Sequence, residues 1–593
     1  VGDAEQLVNI LESRPHHKPL IFDTETTYFL PLKCRLVSIG FGWEPDRAYY
    51  IPISHLDHPT NLSLKQVQEV FGRYLSDSSI EKGAQNASYD YLVAKRHGMD
   101  VRGLAHDPLI ASYLLDPEIP HNLDYMAQSV LGVDKIHYAQ LVGDPKTRTI
   151  DMVNVKDASL YCCEDVVTEV QMIEHFESRV KDFGMWDLYQ QIEMPVLPIL
   201  ADMQYRGILV DKSFFKPYEL RLRTQMKELE EQIFKLAGTR FELTSHHQIR
   251  HVLFDKLNLK VRNPDTDFGP IGPKTSKLVL QNIALRSPIC DAIVKWKSLN
   301  SLLTKYATKL PGLVEEDGTI HCEINQARVV TGRLSSSNPN LMNIPVRSEI
   351  GKEIRGAFIA RPGYKLVDGD YSQIELRVMA HYSQDPNLLR AYREGIDLHA
   401  QTAKRAFQLK DREPDDMERF KGKKTNFLLI YGGGYKALAE QLIIPDDEAL
   451  ALSQSAYAEF PEILTHMRRM ASIGRSQGYV EDIFGRKRFL PDLEARDPKR
   501  VNRAELQAYN QPIQASAAGI LKLALIGTRK MIEEKGFDAH LLLSVHDEIL
   551  CEVADKDVEA FRPEFKRTME NVTQLSVPLE AEVHSGSNWS ECK

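Results

Sequence analysis

The stretch Asp370-Tyr-Ser-Gln-Ile-Glu-Leu-Arg377 decides the reading of this chain. It follows the mostly apolar run Tyr364 to Val367. A second carboxylate string, Val545-His-Asp-Glu548, follows Leu541 to Leu543. Runs of that length and makeup read as buried strands. Asp370 and Asp547 are thereby placed to meet at one end of a sheet, where they repel unless a cation lies between them. Paired Mg²⁺ ions meet that need and support in-line displacement at phosphorus.

Between the two strings runs Arg419-x3-Lys423-x3-Phe427-x3-Tyr431-Gly432. A spacing of four keeps these residues on one slowly winding stripe of a helix. Two cations followed by two aromatics suit a triphosphate at one end and a base at the other. With each residue type at ~5% of sequence, five fixed positions match by chance about once in three million windows, so composition does not explain the pattern. The three segments resemble motifs A, B and C of family A DNA polymerases, the bacterial DNA polymerase I type.

Bulk properties are compatible with that resemblance. A chain of 593 residues holds several domains with ample core. No apolar stretch approaches the ~18 residues of a membrane span, and no charged-then-apolar signal segment opens the chain. Val1 in place of Met suggests a processed or trimmed product. Seven cysteines without a C-x-x-C argue against a disulfide framework and a zinc site, and fit a reducing compartment. The net charge of −9 does not favour nucleic acid, but phosphate binding needs only a local basic surface. Candidate clusters are Arg221, Arg223 and Lys227; Lys256, Lys260 and Arg262; Lys274 and Lys277; Lys421, Lys423 and Lys424; and Arg486, Lys487 and Arg488. Any one of them is more often a solvated face.

The N-terminal third carries its own acids. Leu20-Ile-Phe-Asp23-Thr-Glu25 is a strand ending in D-x-E, and period-two geometry puts both carboxylates on one face, able to share a metal. Asp90, in Asn86-Ala-Ser-Tyr89-Asp90, starts a helix. Tyr161 and Asp165, in Tyr161-Cys-Cys-Glu-Asp165, lie one helical turn apart. In this order the residues resemble the tyrosine-bearing DEDD-type 3′→5′ exonuclease. That resemblance implies that Asp23, Glu25, Asp90 and Asp165 bind two divalent metals and that Tyr161 positions the attacking water. With every ligand present, an active exonuclease is expected.

Residues from about 190 to 320 show helical periodicity, with Glu219 to Leu236 as a long amphipathic helix. Gly269-Pro-Ile-Gly-Pro-Lys-Thr-Ser-Lys277 reads as an unpacked loop. By resemblance this region is the thumb, with Lys274 and Lys277 at DNA phosphates; a plain helical spacer is the competing reading. Thr331-Gly-Arg333-Leu-Ser-Ser and Asn338-Pro-Asn-Leu-Met-Asn343-Ile-Pro read as loops that open the core.

The resemblance implies an α/β multidomain fold: an RNase H-like exonuclease domain over 1–187, then a right-hand polymerase over 188–593. Thumb is expected at about 190–325, palm at about 326–400 and 510–593 with an antiparallel sheet, and fingers at about 401–509. It further implies metal ligation by Asp370 and Asp547, with Glu548 as a more dispensable acid. Arg419, Lys423, His399 and Gln373 meet the triphosphate, with Lys423 able to protonate the leaving group. Phe427 and Tyr431 pack at the nascent pair, and Glu375 is the steric gate against ribose. Phe427 implies discrimination against dideoxynucleotides. Arg333, Asn510, Gln514 and His546 contact primer–template.

Each site is expected to take two Mg²⁺ ions, with Mn²⁺ as a substitute. Partners are then primer–template DNA and dNTPs, with no membrane and a monomeric protein; a helicase-like or upstream nuclease partner is left open. A bacterial cytoplasm or nucleoid, a virus-infected cell or an organelle is the expected location. Two departures stand out. Leu506 replaces the arginine usual four residues before Asn510, so a template contact is lost or moved to Arg503. Gly433 and Gly434 replace the common Met-Ser, adding backbone freedom at the end of the fingers helix. Rival readings are an exonuclease whose polymerase half only clamps DNA, and a non-catalytic DNA-binding protein. Reverse transcription also stays open.

Overall fold

A computed structural model describes residues 1–593 except 57–61, 262–267, 270–271, 285–286, 346–348, 410–411, 443 and 593. Arg262 of the basic clusters, and Pro270 and Ile271 of the expected loop, therefore lie outside the described residues. Among the described residues no helix is long and apolar enough to cross a membrane.

The N-terminal part is built on strands β1 (Leu20–Thr26), β2 (Leu36–Glu44), β3 (Arg47–Pro52) and β4 (Lys82–Gly83), helix α1 (Ala87–Arg96), strand β5 (Leu104–His106) and helix α2 (Val155–Asp182). The sheet order is β3-β2-β1-β4-β5. β1 pairs antiparallel with β2 and parallel with β4. Asn154 caps α2 by accepting from Asp157 N, and the buried side of this 28-residue helix carries Cys162, Asp165, Val166 and Glu169. That face lies directly on the sheet because Gly40 of β2 has no side chain. A Cβ there would sit 2.5 Å from Cys162 Sγ and 2.9 Å from Val166 Cγ2. The close approach brings the α2 acids to those of β1.

The next layer is helical. The amphipathic stretch expected at Glu219 to Leu236 lies within α3 (Phe215–Ala237), whose buried face, including Leu222, Met226 and Ile233, packs on α4 (Pro288–Leu302). The Gly/Pro stretch differs from the unpacked loop expected. Phe268–Gly269 and Gly272–Pro273 form a short antiparallel pair. Thr275 is buried, with its hydroxyl bonded to His246 Nδ1 at 2.6 Å and its carbonyl accepting from Lys297 Nζ at 3.0 Å. Lys274 and Lys277 remain exposed on either side of it.

The C-terminal part centres on strand β6 (Tyr364–Tyr371), followed by helices α5 (Ile374–Ser383), α6 (Leu398–Ala406), α7 (Asp416–Ile430) and α8 (Pro498–Lys535), then strands β7 (Ala539–Val545), β8 (Glu548–Ala554) and β9 (Ala581–Gly586). The sheet runs β7-β8-β6-β9 and every pairing is antiparallel, as expected for a palm. β7 and β8 are buried along nearly their whole length.

Candidate active sites

The sheet register sets the larger site. β8 lies between β7 and β6, and Asp370 pairs across from Glu548. Asp547 occupies the two-residue turn joining β7 to β8, rather than a strand end. His546 takes the left-handed conformation there (φ 57°), and Tyr371 N donates to Asp547 O at 3.1 Å. The backbone thus places the Asp370 and Asp547 carboxylates at one end of the sheet. Burial first, and Asp370 and Glu375 after it, push the Asp547 carboxyl up to about 7. Such an acid is costly to ionise without a nearby cation.

Both aspartates open into a cleft of about 730 Å³, also lined by Arg333, Gln373, Glu375, His399, Arg419, Lys423, Phe427, Tyr431, His546 and Glu548. Asp397 caps α6, accepting from His399 N at 2.9 Å and Ala400 N at 3.1 Å, and its other oxygen accepts from Arg419 Nε at 2.7 Å. The cap thereby ties the Arg419 guanidinium to the α6 N-terminus. His399 is buried, which with Lys423 and Arg419 nearby lowers its pKa to about 4, against the opposing pull of Asp397. Asn426 Nδ2 approaches His399 Nδ1 at 3.2 Å, so the neutral ring carries its proton on Nε2, a buried atom with no hydrogen-bond partner. Lys423 Nζ lies 6.0 Å from the Phe427 ring centroid.

Several expected sites take a different form. Tyr431 lies just past α7 rather than on it, because Gly432 turns left-handed (φ 64°) and Gly433 N donates to Leu428 O at 3.0 Å. The glycines there are shaped by packing. A Cβ on Gly432 would meet Tyr509, and one on Gly433 would come within 2.4 Å of Leu428, whereas Gly434 faces open space. The Tyr431 hydroxyl donates to Glu375, which also pairs with Arg333, so the expected gate carboxylate is pinned by two donors. Gln373 is left-handed at the start of α5 and accepts from Tyr392 OH at 3.0 Å.

Glu548 lines the cleft with one oxygen held from behind. Its Oε1 accepts from Arg355 Nη1 and Trp589 Nε1, both at 2.7 Å. Asn510 donates to Tyr431 O at 3.2 Å, bracing the end of α7, and Gln514 is half-buried one turn further along α8. Leu506 packs against the core, while Arg503 is exposed. The Arg486–Arg488 cluster is no DNA-facing patch: Arg486 and Arg488 are 5% and 6% exposed and pair with Glu193 and Glu118. Arg221, Arg223 and Lys421 likewise hold Glu353, Glu219 and Glu448.

The smaller site gathers at β1. Asp23, Glu25 and Cys162 offer ligand atoms within 4.8 Å of one another, and the Cys162 thiol donates to Asp23 Oδ2 at 3.6 Å. Asp90 Oδ1 accepts from Thr24 N at 2.9 Å and Thr24 Oγ1 at 2.5 Å, bracing the strand between the two D-x-E acids. Burial lifts Asp23 to about 6 and holds Glu25 and Asp90 well above the carboxylate range, with mutual repulsion adding to it. Glu25 Oε1 is buried with no hydrogen-bond partner. Orphaned, mutually repelling acids of this kind fit a divalent cation at Asp23 and Glu25. Asp165, expected as a further ligand, pairs instead with Lys135. Sequence reading missed Lys135, Cys162 and Glu169, a fifth buried acid raised by burial and by Asp23 and Asp90.

A mixed five-stranded sheet carries one group of clustered acids, and one end of a separate antiparallel sheet opens into a cleft lined by Arg419 and Lys423. The chain belongs to DNA polymerase family A, whose model matches residues 212–591; a 3′-5′ exonuclease model matches residues 1–181. DNA polymerase I of Synechocystis sp. is 35% identical over 99% of this chain and 62% of its own length. DNA polymerase I of Pseudomonas aeruginosa is 34% identical over 96% of this chain and 63% of its own. The chain thus spans about six-tenths of the length of these relatives. A solved structure, the POL domain of Pol1 from M. smegmatis in complex with DNA primer-template and dNTP, superposes with a TM-score of 0.87. It is 28% identical and covers 99% of this chain and 98% of its own. The exonuclease domain followed by a family A polymerase domain is therefore the fold of this chain, and such domains are metal-dependent in general.

Proposed function

We propose that this chain adds dNTPs to a primer 3′-hydroxyl under template direction, and removes 3′-terminal nucleotides at its second site, in DNA replication or repair. The observation that carries the reading is the cleft in which Asp370 and Asp547 face Arg419, Lys423 and His399. The M. smegmatis neighbour, bound to primer-template and dNTP, supports these substrates. Asp370 and Asp547 would hold a divalent cation such as Mg²⁺, which when bound would supply activation of the 3′-hydroxyl and neutralisation of charge on the phosphates.

The chain's own groups do the rest. Arg419 and Lys423 neutralise the β and γ phosphates, and Lys423 is placed to protonate the departing pyrophosphate. The His399 Nε2 proton is a neutral donor to the same groups. Glu375, immobilised by Arg333 and Tyr431, fills the space beside the sugar and excludes a 2′-hydroxyl. Phe427 and Tyr431 flank the position of the nascent pair, where closure of α7 selects the correct base by shape. At the exonuclease site Asp23 and Glu25 would hold a divalent cation, which would supply activation of the attacking water. The Tyr161 hydroxyl orients that water beside the phosphodiester.

The test is a labelled primer on a DNA template with Mg²⁺. Extension is expected with all four dNTPs and shortening without them. Asp23→Ala combined with Glu25→Ala should abolish shortening and leave extension intact. Loss of both activities would contradict two separate sites. A pH dependence follows from Asp547: below about pH 7 it holds a proton that an incoming cation must displace. In a variant lacking the exonuclease acids, Mn²⁺ affinity should rise several-fold between about pH 6 and about pH 8. A flat titration would contradict the raised Asp547.

A further inference from the structure

The exonuclease acids enclose a lysine for which the two-metal scheme has no role. The Lys135 side chain is 1% exposed, and its Nζ pairs with Asp165 Oδ1. Nζ also lies 5.9 Å from the Tyr161 ring centroid. The lysine is not there by side-chain chance: Glu164, adjacent to Asp165 on α2, accepts from Ile136 N at 2.8 Å and fixes the segment that carries Lys135. Its charge acts on Asp23, Glu25 and Glu169 as well. Burial lowers the Lys135 pKa from its ordinary value, and Glu164, Asp124, Glu169 and Asp23 oppose that shift.

Among the described residues one group of ligand atoms converges, and neither Asp90, whose Oδ1 is held by Thr24, nor Glu169 joins it. Asp23, Glu25 and Cys162 converge within 4.8 Å, and Glu25 Oε1 is an orphaned buried acceptor. Asp165, the further ligand that the resemblance implies, has its Oδ1 paired with Lys135. We propose that Lys135 Nζ stands in for one of the two divalent cations, so that this site binds a single metal ion at Asp23 and Glu25. The ammonium supplies fixed positive charge beside Asp165 and the scissile phosphate, and it offers no open coordination position for water. The proposal rests on the exonuclease reading of this site.

The test counts Mn²⁺ by electron paramagnetic resonance in the full chain carrying Asp370→Ala and Asp547→Ala, which silence the polymerase site. One tightly bound ion is expected. It should disappear on adding Asp23→Ala, and the count should rise to two on adding Lys135→Met. The background count itself tests the proposal even if Lys135→Met fails to fold, and Lys135→Gln provides a second variant. Two ions in the background protein, or a count unchanged by removing the lysine in a folded variant, overturns the proposal. No bound ion in any variant overturns the exonuclease reading, and the proposal with it.

Discussion

Asp547→Ala is expected to lower primer extension on the order of 10³-fold while leaving primer shortening unchanged. The side chain makes the cation site, but the turn that bears it is held by the backbone, through Tyr371 N on Asp547 O and the left-handed His546. Truncation therefore removes charge without moving β7 or β8. It also removes a carboxyl that burial has pushed up to about 7, so the fold loses no stabilising ion pair with it. Single-turnover extension of a labelled primer gives the first quantity, and shortening without dNTPs gives the second. An equal fall in both would mean that the two sites are not independent.

Glu193→Ala is expected to destabilise the junction between the two halves by about 3–5 kcal/mol, the cost of leaving buried charges unpaired. Glu193 is fully buried and accepts from Lys522 Nζ at 2.7 and 2.9 Å. Its carboxylate also pairs with Arg486 and accepts from Gln326 Nε2. Burial alone would raise this carboxyl, yet Lys522 and Arg486 outweigh it and hold the group below its ordinary value. A depressed carboxyl contributes stability above its unfolded pKa, and that contribution is lost as pH falls through the folded one. Glu193→Ala leaves Arg486 and Lys522 as two buried cations without their acid. Urea unfolding followed by tryptophan fluorescence should show an earlier transition than in the native chain. An unchanged midpoint would show that this network does not hold the halves together.

The polymerase cleft was legible because its residues sit in short local strings on regular elements. Asp370 ends a strand, Asp547 turns a hairpin, and Arg419 to Phe427 step along one helix face, so chain-local periodicity carries the geometry. Tyr431 departs from that stripe because the left-handed Gly432 ends the helix one residue earlier. The Arg486–Arg488 cluster read as a solvated face more often than a phosphate contact, and its buried pairing was hidden because its partners, Glu193 and Glu118, are hundreds of residues away. Lys135 and Glu169 belong to no motif: the packing of α2 on β2 over Gly40 carries Glu169 toward the acids, and the bond from Ile136 N to Glu164 of α2 places Lys135. A charge buried among the acids is the signal that finds such residues, and it exists only in three dimensions.

The central claim is that Asp370 and Asp547 form a working polymerase site separate from the exonuclease. The most direct measurement is extension of a labelled primer on a DNA template with Mg²⁺ and all four dNTPs, comparing the intact protein with Asp370→Ala. The account predicts extension by the intact protein that vanishes in Asp370→Ala while shortening persists. Shortening without any extension by the intact protein would contradict it, leaving an exonuclease whose larger half only grips DNA.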